Sequence, residues 1–282
     1  MSKYEIPEEY YFRIHHCRPR FKGNVENVLI YMATEITRIG DKPKKEFNDE
    51  LNNAIKCFPG NATLKIKTID NWRTEISSLF GLFYEDDNHY NHAMRRAKEL
   101  AENNDLIQFF KLFLYYFQYP GAHIKAQNIL EQIKAGIHFK PVQYILKLLK
   151  SAEELTGKRC AVTKEEVCYC IFNDLRCTRD NEDVIKTWNR IQKNRELELE
   201  YVANGDITRY AGDILDYMQY ANLLVSYNNK EYYINHNENE AILKYINSNE
   251  WFSGYDEMLR TKQGTLKDIK NCKCDWFIYV NR

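Results

Sequence analysis

Apolar residues recur at helical spacing through most of the chain. Within the stretch 64–81, Ile69, Trp72, Ile76, Leu79 and Phe80 form one stripe, and this period predicts an amphipathic helix. At about 100° per residue, the opposite side carries Asp70, Asn71, Thr74 and Ser78. These side chains are short and polar, where a solvated helix usually carries Glu and Lys. Lys65 and Lys67 lead into the helix and Arg73 flanks the stripe. Two helices are predicted upstream. The first opens at Asn24, buries Val25, Val28, Leu29, Met32, Ala33 and Ile36, and stops at Gly40. The second spans about 44–57, with Phe47, Leu51, Ala54 and Ile55 inward. Phe58-Pro59-Gly60-Asn61 is a turn. After the third helix, 82–90 has the pattern of a strand, a turn at Asp86–Asn88 and a return strand.

Helix, helix, helix, hairpin is the order of a winged helix, a helix-turn-helix variant whose third helix reads DNA. The pattern returns after Pro141. Val142, Ile145, Leu146, Leu148 and Leu149 mark one helix, and Thr163 with Glu166 forms a capping box for another. A charged helix over about 182–202 is inserted. A helix from Asp206 then buries Ile207, Ala211, Ile214, Leu215 and Met218, and Asn228-Asn229 joins two β-rich runs as a hairpin. Its outward face carries Thr208, Arg209, Asp213, Asp216 and Gln219. Two carboxylates there would repel phosphate, which leaves Arg209 and the wing as this module's contacts. Between the modules, 105–119 is densely aromatic. A stacking platform for bases is one reading, but apolar residues almost all round and the stop at Pro120-Gly121 favour a buried helix.

Residues 1–22 show no period, and Pro19 resists helix. From Phe12 to Val25 the chain carries Arg13, Arg18, Arg20 and Lys22 and no acid. This is either a tail packed on its domain or a basic arm reaching into a groove. His15 and His16 are adjacent and point to opposite sides of an extended chain, so the pair alone does not make a metal site.

Net charge is zero, from 40 basic and 40 acidic residues. That counts against DNA binding, although a local basic patch survives a neutral total. With 11 Gly and 6 Pro, a mainly α fold with minor β is expected. No apolar run is long enough to span a membrane, the first residues lack a signal-peptide core, and the eight cysteines fit reduced thiols in a cytoplasmic protein. No phosphate-binding loop, dinucleotide glycine pattern or zincin motif occurs. Cys168/Cys170 and Cys272/Cys274 lack the partners of a zinc site, and no carboxylate cluster with a lysine marks a metal-dependent nuclease.

The segment Lys67-Thr68-Ile69-Asp70-Asn71-Trp72-Arg73-Thr74-Glu75-Ile76, followed by Leu79 through Asp87, closely resembles the DNA-recognition region of the type IIS restriction endonuclease BpuJI. The likeness extends through Pro7-Glu8-Glu9, Phe12-Arg13, Arg18, Arg20 and Lys22. It continues in Phe117-Gln118-Tyr119-Pro120 and in Tyr217 with Ala221-Asn222-Leu223, and so covers nearly the whole chain. It implies two winged-helix (helix-turn-helix) subdomains joined by a helical linker subdomain, similar to those of FokI. The expected organisation is an arm at 1–23, a winged helix at 24–104, a linker at 105–140, a second winged helix at 141–250 and an extension at 251–282.

The resemblance further implies recognition of a short asymmetric double-stranded DNA site through the major groove, by a monomer. Cleavage belongs to a separate C-terminal nuclease domain. No cofactor is then expected for this chain, and Mg²⁺ only for a fused or partner nuclease. The arm candidates are Arg13, His15, Arg18, Arg20 and Lys22, with Arg-to-guanine pairing the commonest specific contact. On the third helix, Asn71 would meet adenine or a phosphate and Thr74 a base edge, with Thr68 and Asp70 beside them. Lys65, Lys67 and Arg73 would hold phosphates. His15, His16, Cys17 and Trp72 depart from the family pattern, so a different target sequence is expected. A winged-helix transcriptional regulator and a helical protein-interaction scaffold are the alternatives.

Overall fold

In the computed structural model, the apolar stripes of the first three helices meet in one core. The structure describes residues 2–17, 24–201 and 205–282, with the backbone alone at 205–207. Among the described residues helix dominates, and short strands make three small sheets. Among the described residues, no helix is long and apolar enough to cross a membrane. The chain divides into two units. Unit A comprises His16–Phe109, Gly121–Ile129 and Thr265–Arg282, and unit B comprises 2–15, Phe110–Pro120 and Leu130–Gly264.

In unit A, helix α1 (Val25–Ile39) begins at Asn24, whose side chain accepts from the Asn27 N–H at 3.4 Å. It ends at Gly40, where φ is +69°. Helix α2 is Lys44–Cys57 and helix α3 is residues 66–80. Val28, Leu29, Met32 and Ile36 of α1, Phe47, Leu51 and Ile55 of α2, and Ile69, Trp72, Ile76 and Phe80 of α3 are each at most 2% exposed. Burying a side chain of this size contributes about 1.5–3 kcal/mol. Helix α3 starts two residues later than its apolar stretch, because Leu64 N–H closes a turn on Asn61 O at 2.9 Å. It is not uniform: Trp72–Ile76 forms a π turn between two α segments. Gly81 stops it at φ +62°, and a Cβ there would meet Asn281 Nδ2 at 2.8 Å, so the position requires glycine.

Strands Phe83–Glu85 and Tyr90–Ala93 form the expected hairpin. Lys42–Pro43 adds a third strand beyond Tyr90–Ala93, pairing Lys42 with Asn91. A two-residue strand ending in proline has no period to detect.

Unit B repeats the order. Helix Pro141–Thr156 carries Pro at its first position and ends at Gly157, φ +66°. Strand Ala161–Thr163 leads into the capping box, with Thr163 Oγ1 accepting from Glu166 N–H at 3.2 Å and Glu166 Oε2 from Thr163 N–H at 2.8 Å. Helix Lys164–Val167 continues as a second π turn, Cys168–Phe172. The Cys170 carbonyl in that turn accepts from the Cys177 thiol and from Arg190, both at 3.2 Å. Helix Gly205–Tyr220 precedes strands Leu224–Val225 and Glu231–Ile234. The sheet order is 161–163, 231–234, 224–225. The Asn228 side chain accepts from the N–H groups of Lys230 and Glu231, closing the hairpin over Asn229 at φ +57°.

One sequence expectation is corrected. The charged helix runs only over Val184–Glu196; Glu200–Tyr201 is instead a strand, parallel to Lys3–Tyr4. The aromatic run is the buried helix its all-round apolar pattern favoured, and not a platform. Within unit B, Phe110, Phe113, Phe117 and Tyr119 are at most 2% exposed, and Phe113 packs on Phe117 with ring centres 5.0 Å apart. The C-terminal stretch, whose weak pattern fits helix or irregular chain, forms helices Asp256–Thr261, Leu266–Asn271 and Lys273–Val280.

Candidate nucleic-acid interface

The open side of α3 is confined to its first turns. Lys65, Lys67 and Thr74 are exposed, while Thr68, Asp70 and Asn71 are half-buried. Ser78, placed outward by the helical period, is half-buried and donates to His123 O at 3.1 Å. Among the described residues, Lys65 and Lys67 have no carboxylate partner and the Asn71 amide no hydrogen-bond partner. Arg73 is turned inward: Nη1 donates to Asn52 Oδ1 of α2 at 2.7 Å and lies 3.1 Å from Asp70 Oδ1. Thr74 Oγ1 donates back to Asp70 O at 2.7 Å. The helix thus presents two unneutralised cations, an amide and a hydroxyl, beside an arginine held in place by protein groups. Ammonium groups suit phosphates, and an Asn amide matches adenine N6/N7. Asn52 has no periodic signal of its own and could not be singled out from sequence.

A groove of about 260 Å³ runs beside α3, lined by Lys44, Asn48, Arg73, Thr74, Glu85 and Lys273. The hairpin bordering it is acidic in sequence but largely neutralised. Glu85 meets Lys44 and His89, each at 2.8 Å. Burial works upward on Glu85, yet those hydrogen bonds hold it below the usual carboxylate range. His92 bridges Asp41 at 3.0 Å and Asp86 at 3.1 Å. The hydrogen bonds to Asp41 and then Asp86 raise its pKa.

The arm is pinned rather than free up to residue 15. Tyr11 bridges Asp174, Phe12 N–H donates to Asn173 O at 3.0 Å, and Ile14 N–H donates to Asn173 Oδ1 at 3.2 Å. Arg13 is half-buried, its Nε enclosed without a hydrogen-bond partner among the described residues. His15 Nε2 stands 3.8 Å from Glu131, and its carbonyl accepts from Gln132 at 3.0 Å. In unit A, Cys17 Sγ donates to Glu75 O in the π turn of α3, at 3.4 Å. Burial pushes that thiol up to about 12, so it stays a neutral donor. Arg18, Arg20 and Lys22 lie outside the described residues.

In unit B, Arg209 is exposed on helix Gly205–Tyr220. Asp216, read from the sequence as an outward carboxylate, is half-buried and neutralised: Lys164 Nζ lies 3.0 Å away and Tyr232 Oη donates at 2.8 Å. The candidates are therefore grouped by element. Lys67, Thr68, Asp70, Asn71, Arg73 and Thr74 share α3, with Lys65 at its N-cap, whereas Arg13, His15 and Arg209 belong to unit B.

A solved structure described as pyrene- and phenanthrene-modified DNA in complex with the BpuJ1 endonuclease binding domain is similar to this chain. The TM-score is 0.83, with 25% sequence identity over 99% of this chain and 100% of the other. No curated protein matches. The family model for the N-terminal region of restriction endonuclease BpuJI matches residues 4–277. The chain belongs to that family, the N-terminal region of restriction endonuclease BpuJI.

Proposed function

We propose that this chain is the target-recognition part of a type II restriction endonuclease. It binds double-stranded DNA sequence-specifically, with the first turns of α3 in the major groove. The observation that carries this is the position of Lys65, Lys67 and Asn71, whose side chains have no partner among the described residues. They sit on the third helix of a helix–strand–helix–helix–hairpin unit, in a chain similar over its whole length to a DNA-complexed domain. Both units have winged-helix order, the first within 24–104 and the second within 141–250, with 105–140 as linker. Their third helices present different side chains, which favours a monomer on a short asymmetric site. Lys65 and Lys67 anchor phosphates, and Asn71, Thr68 and Thr74 face base edges. Arg18, Arg20 and Lys22 add arm contacts. Phosphodiester cleavage, with its Mg²⁺, falls to a nuclease domain outside this chain.

Selection from random duplexes tests the proposal. Enrichment of one asymmetric motif is expected. A palindrome would favour a dimeric regulator, and no enrichment at low salt would overturn DNA reading. Plasmid incubated with the chain and Mg²⁺ should stay intact.

A further inference from the structure

Ile66 is 70% exposed, more than any other described leucine or isoleucine. It is the first residue of α3 and stands between exposed Lys65 and Lys67. The other apolar residues of this helix, Ile69, Trp72, Ile76, Leu79 and Phe80, are at most 3% exposed. Leaving this branched side chain in water forgoes the stabilisation its burial would give. No described residue of unit A covers it, so its place is not explained by the core. The N-terminal residues of a reading helix are those that meet base edges. In the major groove the apolar feature on those edges is the thymine C5-methyl, which pairs with aliphatic side chains.

We propose that Ile66 is a specificity-determining residue that packs on the C5-methyl of a thymine, held at groove depth by Lys65 and Lys67 on the flanking phosphates. The inference rests on the DNA-binding reading above and adds one requirement: the recognised motif contains an A·T pair read through its methyl group.

The test uses the motif enriched from random duplexes, synthesised with thymine or with deoxyuridine, which lacks only the methyl, at each T position. Wild type should bind one deoxyuridine duplex about three- to fivefold more weakly, the equivalent of one buried methyl-sized group. Ile66→Ala should bind the thymine and deoxyuridine duplexes alike, with thermal melting unchanged, and Ile66→Val should retain part of the discrimination. Specific binding that ignores deoxyuridine at every position, a motif without an A·T pair, or an Ile66→Ala protein that keeps the wild-type ratio would each overturn the inference while leaving sequence-specific binding intact. Absence of any enriched motif would overturn both.

Discussion

Units A and B share a scaffold and differ in what it presents. In each, a helix ends at a positive-φ glycine, Gly40 or Gly157, and a strand follows. Each third helix stops at a left-handed residue, Gly81 or Asn222. The same two backbone hydrogen bonds then fix the hairpin. Leu82 N–H donates to Ser77 O and Met94 N–H to Leu82 O; Leu223 N–H donates to Met218 O and Asn235 N–H to Leu223 O. The outward chemistry diverges. Among the described residues Lys65 and Lys67 have no acidic partner, whereas Asp216 is tied to Lys164 and Tyr232, and Thr208 hydrogen-bonds the Cys168 thiol. Backbone caps and apolar period set the shared shape. The availability of charge depends on which side chains reach across from other elements.

The strongest test separates structural ions from presented ones. Asp174 is fully buried in unit B, with Arg176 at 2.5 Å and Arg190 at 3.5 Å. Asp174→Ala leaves Arg176 without its carboxylate, while Arg190 keeps Glu182 at 2.7 Å, and should cost about 3–5 kcal/mol in urea unfolding. A loss below about 1 kcal/mol would place that ion pair with exposed ones.

The shared helix stop is next. Gly81→Ala should destabilise by at least about 1–2 kcal/mol from the left-handed backbone alone, with crowding against Asn281 and Val280 adding to it. Asn222→Gly should stay within about 0.5 kcal/mol. Equal losses would mean that the two stops are not equivalent in kind.

Lys65→Ala and Lys67→Ala should each reduce the salt slope of DNA binding by about 0.9, with melting unchanged. Lys164→Ala should do the reverse, lowering stability and leaving the slope in place. An unchanged slope in both α3 variants would remove this helix from the phosphate surface.

The smallest expected effect is a pH dependence confined to unit A's hairpin. The pKa of His92 is raised, so its contribution is complete below its unfolded value near 6.5 and fades as pH rises through the folded value. The Asp86 carboxyl is lowered, first by the Tyr90 N–H and then by His92. Burial works upward on Asp41, but hydrogen bonds from His92 and the Ala93 N–H outweigh it. Their contribution is present above about pH 3.8 and fades as pH falls below it. Amide exchange at Tyr90–Ala93 should be slowest between these limits, and His92→Gln should flatten the upper flank. The 224–234 hairpin has no histidine and provides the internal control.

Period and punctuation made the helices legible: Asn24, Gly40 and Gly81 mark ends that the structure keeps. The Thr163–Glu166 box and the Asn228-Asn229 turn are local and equally readable. What escaped depends on distant partners. Arg73 looked like a surface cation because Asn52 lies on another helix. Asp216 looked like an outward acid because Lys164 is 52 residues away. Whether residues 12–14 pack on the domain or reach outward stayed open in the sequence, because Asn173, which holds them, carries no signal at that distance. Ile66 falls on a helical period, and only the boundary of the folded core shows that it is left outside.

The π turn at Trp72–Ile76 gives α3 an unusual tolerance to change of length. A π turn is an α-helix carrying one surplus residue, accommodated locally so that both flanks keep their facing. Loss of a single codon in that turn would restore regular α geometry. The Ile69 and Phe80 ends would remain in the core, but the thiol of Cys17 would lose the carbonyl on which it rests. Related chains can therefore differ by one residue within this helix while its first turns keep their orientation. A gap at that point in an alignment would record a reset tether for the arm, not a rotated helix.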